Sequence, residues 1–347
     1  MNQTSLPIKS WCKKGLSLVL ILTLFSSGFL FVSSASAKTW FDWEKLNYWA
    51  FFASCLALIV SWLVEVVRLR LIASGLGEQV SFQRMLGINL ATSFTGNVTP
   101  FNSGGVPTQI YLLCQNGIQP GKASAIVTIR VITTTLLFTV FSPILLIFYY
   151  TKVPFGLLHR VTTVAIPLSC LVSIFLIVFI IKPKSAEHLG NFFIKCLRFT
   201  KFGPKLEPWF NKLLGELAVF HQSIKTFRNG LNFYLVLFCT FLYWAIFFAI
   251  APLLMYAFGF NATEVFIESI LFQFILVFIL AYLPIPGGSG IMELGLYSVF
   301  VFIPIQVRAI FILVWRFLSY HLSTLVGGIV LLRIINRPPT HPAVFPD

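Results

Sequence analysis

Long apolar runs, separated by short polar or basic segments, dominate this chain. A helix that crosses a bilayer needs about 20 predominantly apolar residues, and six runs fit: 15–32, 48–67, 123–150, 161–181, 231–258 and 310–332. Two further hydrophobic stretches, 86–113 and 265–302, are broken near the middle by proline and glycine and do not read as simple spans. The pattern predicts an all-α integral membrane protein, a single polytopic domain over 1–347. It has about six transmembrane helices plus two re-entrant hairpins.

Composition removes the soluble alternative. Hydrophobic residues make up 57% of the chain and charged residues only 10%, against roughly 25% charged in soluble domains. A surface facing water could not be covered. The first run allows two readings. Lys9, Lys13 and Lys14 precede it and Ala35-Ser36-Ala37 follows it, as in a cleaved signal peptide. Its apolar core is longer than is usual for such peptides, which favours an uncleaved first helix.

The net charge of +14 suggests nucleic acid until it is placed along the chain. With a cytoplasmic N-terminus, the inside segments 1–15, 68–84, 117–122, 182–229 and 333–347 carry +13, whereas the outside segments 38–47, 152–160 and 259–268 sum to zero. That asymmetry is the positive-inside pattern of the cytoplasmic membrane, with both termini cytoplasmic. It holds only if 86–113 enters and leaves from the cytoplasm and 265–302 from outside. The two hairpins are therefore oppositely oriented.

The broken stretches also resemble each other. One reads Thr99-Pro100-Phe101-Asn102-Ser103-Gly104-Gly105-Val106-Pro107, the other Pro284-Ile285-Pro286-Gly287-Gly288-Ser289-Gly290, and each precedes a span with one arginine, Arg130 or Arg316. The halves 48–150 and 231–335 thus form an inverted repeat, the plan of transporters whose sites lie where broken helices meet. Aligned on Gly105 and Gly288, the arginines follow at similar though unequal spacings.

Such tips can bind a ligand, because glycine lets backbone approach closely and a helix start offers unpaired N–H groups to an anion. Pro107 suits a first helical position. Arg130 and Arg316 cost about 3 kcal/mol each at a helix centre, so they face the interior and pair, or meet a substrate. Arginine grips phosphate in bidentate fashion. The internal alternative is a salt bridge to Glu65 or Glu293, while Arg68 and Arg308 are expected to snorkel. The candidate binding set is Asn102, Ser103, Gly104, Gly105, Gln109, Arg130, Pro286, Gly287, Gly288, Ser289, Gly290, Glu293 and Arg316. Glu293 reads as paired or cation-binding, and Tyr111 and Tyr297 as packing.

Segment 182–229, basic and interleaved with apolar residues, reads as amphipathic helices on anionic inner-leaflet lipids rather than a nucleic-acid site. Six scattered cysteines without a CxxC pair and five histidines without ligand spacing indicate neither a disulfide framework nor a metal centre. No cofactor is implied. No Gly-Lys-Ser/Thr phosphate loop occurs, so active transport would draw on an ion gradient or a partner. Catalytic chemistry finds little support. Glu65 and Glu293 lie in different halves, and His321 is the single candidate base in a span, more simply a core histidine.

The Pro-Ile-Pro-Gly-Gly-Ser-Gly run with Glu293, the earlier Pro-x-x-x-Gly-Gly-x-Pro-x-Gln-x-Tyr-Leu-Leu and the later Arg316 resemble the flippase-like transmembrane family that includes the membrane region of lysylphosphatidylglycerol synthase. The resemblance covers about residues 10–335. It implies movement of phospholipids, notably aminoacylated phosphatidylglycerol, between leaflets. In the family's two-part proteins a soluble C-terminal domain aminoacylates the lipid. This chain ends at Asp347, soon after its last span, so that domain is expected to be absent, leaving a separate lipid-modifying enzyme as partner. Ser289 and Met292 depart from the apolar and basic residues expected beside the second motif. Two alternatives stay open, a lipid-modifying membrane enzyme and a permease for a small anionic solute.

Overall fold

The computed structural model describes residues 43–149, 230–260, 262–280 and 285–336, with scattered positions at 17–28, 167–171 and 219–227. The runs expected at 15–32 and 161–181, and the basic segment 182–229, lie outside the described residues apart from those scattered positions. Elsewhere apolar runs have become helices: α1 (Tyr48–Gly75), α2 (Phe82–Asn97), α3 (Gly105–Gln115) and α4 (Pro120–Tyr149). The second half supplies α5 (Leu231–Ala257), α6 (Ala262–Leu280), α7 (Ile291–Val299), α8 (Ile305–Arg316) and α9 (Ser323–Ile335). A π-helical turn, Phe317–Leu322, joins α8 to α9 without a break.

Four of these helices are long and apolar enough to cross a membrane: Tyr48–Gly75, Pro120–Phe141, Leu231–Ala257 and Ile305–Ile335. They are the four expected spans that fall on described residues, and the protein is an all-α membrane protein. Many of their large apolar side chains face outward, among them Trp49, Phe52, Phe238, Phe241 and Ile329. An outward apolar surface is costly in water and natural in lipid.

Both broken stretches fold as helix–turn–helix. Their second helices, α3 with 11 residues and α7 with 9, rise only about 16 and 14 Å at 1.5 Å per residue. Neither reaches across a hydrocarbon core of roughly 30 Å. α1 packs along α5, the first helix of each half against the other. The first helix of each hairpin also packs against the arginine-bearing span of the opposite half, α2 on α8–α9 and α6 on α4. Glycine permits the closest of these approaches. A Cβ on Gly327 of α9 would lie 2.2 Å from the Leu90 carbonyl oxygen of α2.

Three apolar clusters fill the interior. One joins Val66, Leu69, Met85, Phe94, Leu113 and Ile126 of the first half. Another joins Leu254, Phe272, Leu296, Phe311 and Trp315 of the second, with Leu58 of α1 inserted. The third is aromatic, with Phe138 stacked 4.5 Å from Phe274 and edge-on to Trp244 at 4.8 Å. It sits where α4, α5 and α6 converge, beside the two turns.

Candidate functional site

The two turns meet. Residues Pro100–Asn102 and Pro286–Gly288 are each a single 3-10 turn, and they pack against each other between the halves. Their backbones match closely. Phe101 and Gly287 have φ of 54° and 56°, and Asn102 and Gly288 have 57° and 63°. Left-handed backbone comes easily to glycine and tolerably to asparagine, but it is unusual for phenylalanine. The structural match is therefore proline on proline, not Gly-Gly on Gly-Gly. In that register the spacing from Pro100 to Arg130 equals the spacing from Pro286 to Arg316.

The first glycine pair, expected to face a ligand, is placed against α2. Gly104 and Gly105 have helical backbone and pack on α2, where a Cβ on Gly104 would come within 2.7 Å of the Thr95 carbonyl oxygen. The Gly104 N–H is already taken by Thr99 Oγ1 at 2.8 Å, and that hydroxyl in turn donates to the Thr95 carbonyl. Pro107 is the third residue of α3, not the first. Asn102 instead closes on Gly96, whose missing side chain leaves the space its amide occupies.

The second turn is clamped by a buried ion pair. Arg316 Nε donates to Glu293 Oε1 at 2.8 Å, and Arg316 Nη2 donates to the Gly287 carbonyl oxygen at 2.6 Å. The other carboxylate oxygen, Glu293 Oε2, accepts the Gly290 N–H at 2.6 Å and so caps the start of α7. Gly290, with φ of 88°, holds a conformation that only glycine adopts cheaply. Both open readings of Glu293 and Arg316 included pairing, and they pair with each other.

Tyr320, one helical turn beyond Arg316, connects the clamp to the first half. Its ring lies 4.2 Å from the Arg316 guanidinium, a cation–π distance, and its hydroxyl donates to the Asn97 carbonyl oxygen at 3.0 Å. The Asn97 side chain donates to Thr324 Oγ1 at 2.8 Å. Gly287 is what lets the tyrosine in, since a Cβ there would sit 2.1 Å from the Tyr320 hydroxyl. The π-helical turn carries this tyrosine, and such turns recur at functional sites.

Around the joined turns lies a cavity of about 370 Å³. Asn97, Asn102, Arg316 and Tyr320 give it a polar face, and Phe138, Trp244, Phe247 and Phe278 give it an aromatic one. Trp244 Nε1 and Ser319 Oγ, both buried, have no hydrogen-bond partner among the described residues. Buried polar groups are rarely left so, and these two belong to side chains that line the cavity.

The second arginine stands apart. Arg130 is not among the cavity-lining residues, though Thr134, one turn further along α4, is. Arg130 Nη1 lies 3.7 Å from Glu65 Oε1, beyond hydrogen-bond range. Arg68 makes the tighter bond to Glu65, at 3.0 Å, and its Nη2 also donates to Thr133 and Thr134, each at 2.8 Å, and to the Arg130 carbonyl at 2.5 Å. Arg68 is 1% exposed. It does not snorkel as expected but locks α1 to α4. Arg308 donates to the carbonyls of Tyr297, Val301 and Ile303, closing the end of α7.

Similarity to known proteins agrees with this architecture. The Lysylphosphatidylglycerol synthase TM region matches over residues 15–327. The chain belongs to this family. A UPF0104 membrane protein of Archaeoglobus fulgidus is 28% identical over 316 residues, covering 89% of this chain and 94% of that protein. No solved structure matches. The family match spans both turns and both arginines.

The remaining candidates divide by position. Asn102, Gly287, Gly288 and Arg316 line the cavity. Pro286 opens the second turn, and Ser289 and Glu293 are buried behind it. Ser103 is exposed. Gln109 is fully buried on α3, and neither its amide nitrogen nor its oxygen has a partner among the described residues. Sequence reasoning missed Asn97, Tyr320, Trp244 and Phe138. Tyr320 carried a usable signal, its i+4 spacing from Arg316; the aromatic wall carried none, in a chain with 38 phenylalanines.

Proposed function

We propose that this protein is a lipid flippase or scramblase-like transporter. Its substrate is an anionic or aminoacylated phospholipid such as lysyl-phosphatidylglycerol, moved between leaflets of the cytoplasmic membrane. The observation that carries the reading is the cavity at the meeting of two broken helices, polar on one face and aromatic on the other. About 370 Å³ is at the small end of ligand sites and suits a head group rather than a whole lipid. The head group would sit against Asn97, Asn102, Arg316 and Tyr320 while its tails stay in the bilayer. A cavity for a soluble anion has no use for a wall of Phe138, Trp244, Phe247 and Phe278, which ranks the permease reading second.

Several features support oppositely oriented re-entrant hairpins: the shortness of α3 and α7, the shared turn geometry, and the pairing of each hairpin with the other half. The positive-inside tally supports cytoplasmic termini. Family membership supports the substrate class, since the matched region is named for a synthase of this lipid. Reconstituted vesicles with fluorescent phosphatidylglycerol in both leaflets, scored by dithionite quenching, test the proposal. The protein should expose the inner-leaflet pool within minutes, and exchange at the rate of protein-free vesicles would overturn it. Product formation by the purified protein alone would revive the enzyme reading.

A further inference from the structure

A second cavity, of about 640 Å³, opens between the start of α2, the end of α3 and the end of α9, away from the joined turns. Leu86, Leu112, Val330 and Ile334 form its apolar wall, and Arg84 and Arg333 stand on its rim. Both arginines are exposed, and neither has a hydrogen-bond or ion-pair partner among the described residues. No acidic residue lines this groove. Among the described residues its basic rim is thus uncompensated.

The placement of Arg84 is the informative part. It lies in the first turn of α2, where the helix dipole already presents positive charge and a cation is disfavoured. Ser81, at the N-cap and itself lining the groove, makes no capping hydrogen bond from its side chain. Uncapped N–H groups, a guanidinium beside them and a second guanidinium from α9 line one cavity, and each favours an anion. The packing of α2 on α9 brings them together. The same cavity carries apolar side chains from both helices, with Gln115 and Asn116 of the α3 end beside them. A free phosphate would satisfy the rim and leave the groove empty; a phospholipid satisfies both.

We propose that this groove holds one anionic phospholipid. Its phosphate lies between Arg84 and Arg333, and an acyl chain lies against Leu86, Leu112, Val330 and Ile334. Because the lipid would touch both the first hairpin and the last span, its occupancy ties them together from the leaflet at that end of the bundle. Gly87 lines the groove, and a side chain there would occupy it, since its Cβ would already touch the wall at Ile334 Cδ1, 3.7 Å, and Val330 Cγ1, 3.8 Å.

The test is lipid retention by the full-length protein, released from nanodiscs of equal phosphatidylglycerol and phosphatidylcholine and weighed by native mass spectrometry. The protein should retain phosphatidylglycerol preferentially. An Arg84→Gln, Arg333→Gln variant should lose that preference by roughly tenfold, since charge-assisted contacts to phosphate exceed neutral ones. Gly87→Leu should lower retention of the same lipid with both charges intact. Lys45→Gln, which removes an exposed positive charge lining neither cavity, should leave it unchanged. Unaltered preference in the double arginine variant would overturn the proposal, as would an equal loss of preference in Lys45→Gln. Leaflet exchange is scored separately, so failure here leaves the transport proposal standing, and the reverse.

Discussion

Replacing Glu293 by glutamine tests whether the Arg316–Glu293 pair is a sealed structural clamp. The side chains are 6% and 2% exposed and 2.8 Å apart. Glutamine keeps the size, and its amide oxygen can still accept the Gly290 N–H, so the α7 cap survives. What disappears is the charge opposite Arg316. Removing one partner of a buried ion pair costs about 3–5 kcal/mol, because the other charge stays buried and uncompensated. Residual contacts of Arg316, to the Gly287 carbonyl and the Tyr320 ring, place the expected loss near the low end, about 3 kcal/mol. Arg316→Gln should cost a similar amount. The double variant joins two amides and should recover roughly 2–3 kcal/mol relative to the sum of the singles.

Equilibrium unfolding in mixed micelles, driven by sodium dodecyl sulfate and followed by circular dichroism, measures all four corners of this cycle. Single-variant losses below about 1 kcal/mol would place the pair in contact with water and refute the sealed clamp. Additive losses would refute the coupling. Leaflet exchange by the double variant then separates two roles. A folded double variant that exchanges lipid at the native rate makes Arg316 purely structural. One that is folded but at least about tenfold slower makes it part of the head-group path.

Other expectations follow from the same geometry. Gly287→Ala should yield little folded protein, because its Cβ would collide with Tyr320 and its φ is 56°; Gly259→Ala, at φ 80° with open space around it, should cost only about 1–2 kcal/mol in the same unfolding assay. Tyr320→Phe removes the bond to the Asn97 carbonyl and should cost roughly 0.5–1.5 kcal/mol. Arg68→Ala should be among the most destabilising substitutions in α1, since it leaves the buried Glu65 with only Arg130 at 3.7 Å and cuts the bonds that tie α1 to α4. Arg130→Ala, by contrast, removes a side chain 22% exposed and 3.7 Å from its carboxylate. It should cost under about 1 kcal/mol while lowering the preference for anionic over zwitterionic lipid in leaflet exchange.

Much of the architecture was legible because a membrane leaves backbone few options. Apolar runs of span length must be helical, so the four described spans could be bounded to within a turn at most ends. Two ends are exceptions: α1 continues to Gly75 through Arg68 and Arg70, which read as the end of a span, and the last span begins at Ile305 rather than 310. Sequence assigns each charge a cost but no partner. Arg68 can stay buried because Glu65 lies one turn away and two threonine hydroxyls reach it from α4, a helix remote in the chain.

The site shows the same division between local chemistry and remote geometry. Gly-Gly pairs are conspicuous and were natural anchors for matching the halves, yet Gly104 and Gly105 serve helix packing and only Gly287 and Gly288 adopt left-handed backbone. Proline fixes φ and removes a donor wherever it stands, so Pro100 and Pro286 start the same 3-10 turn with different residues behind them. Phe101 and Asn102 fill positions that suit glycine, and only tertiary packing, such as Asn102 against Gly96, can hold them there. Registering on the prolines places Arg130 and Arg316 at equivalent positions and exposes an asymmetry. Arg316 takes its carboxylate from its own hairpin, the position of Pro107 in the first half. Arg130 must share Glu65 with Arg68. Two cations on one carboxylate leave the first half with a net positive charge while the second is neutral. Arg316 is thus matched by a carboxylate of its own hairpin at 2.8 Å, whereas Arg130 keeps only a shared one at 3.7 Å, which is why removing Glu293 is expected to cost far more than removing Arg130.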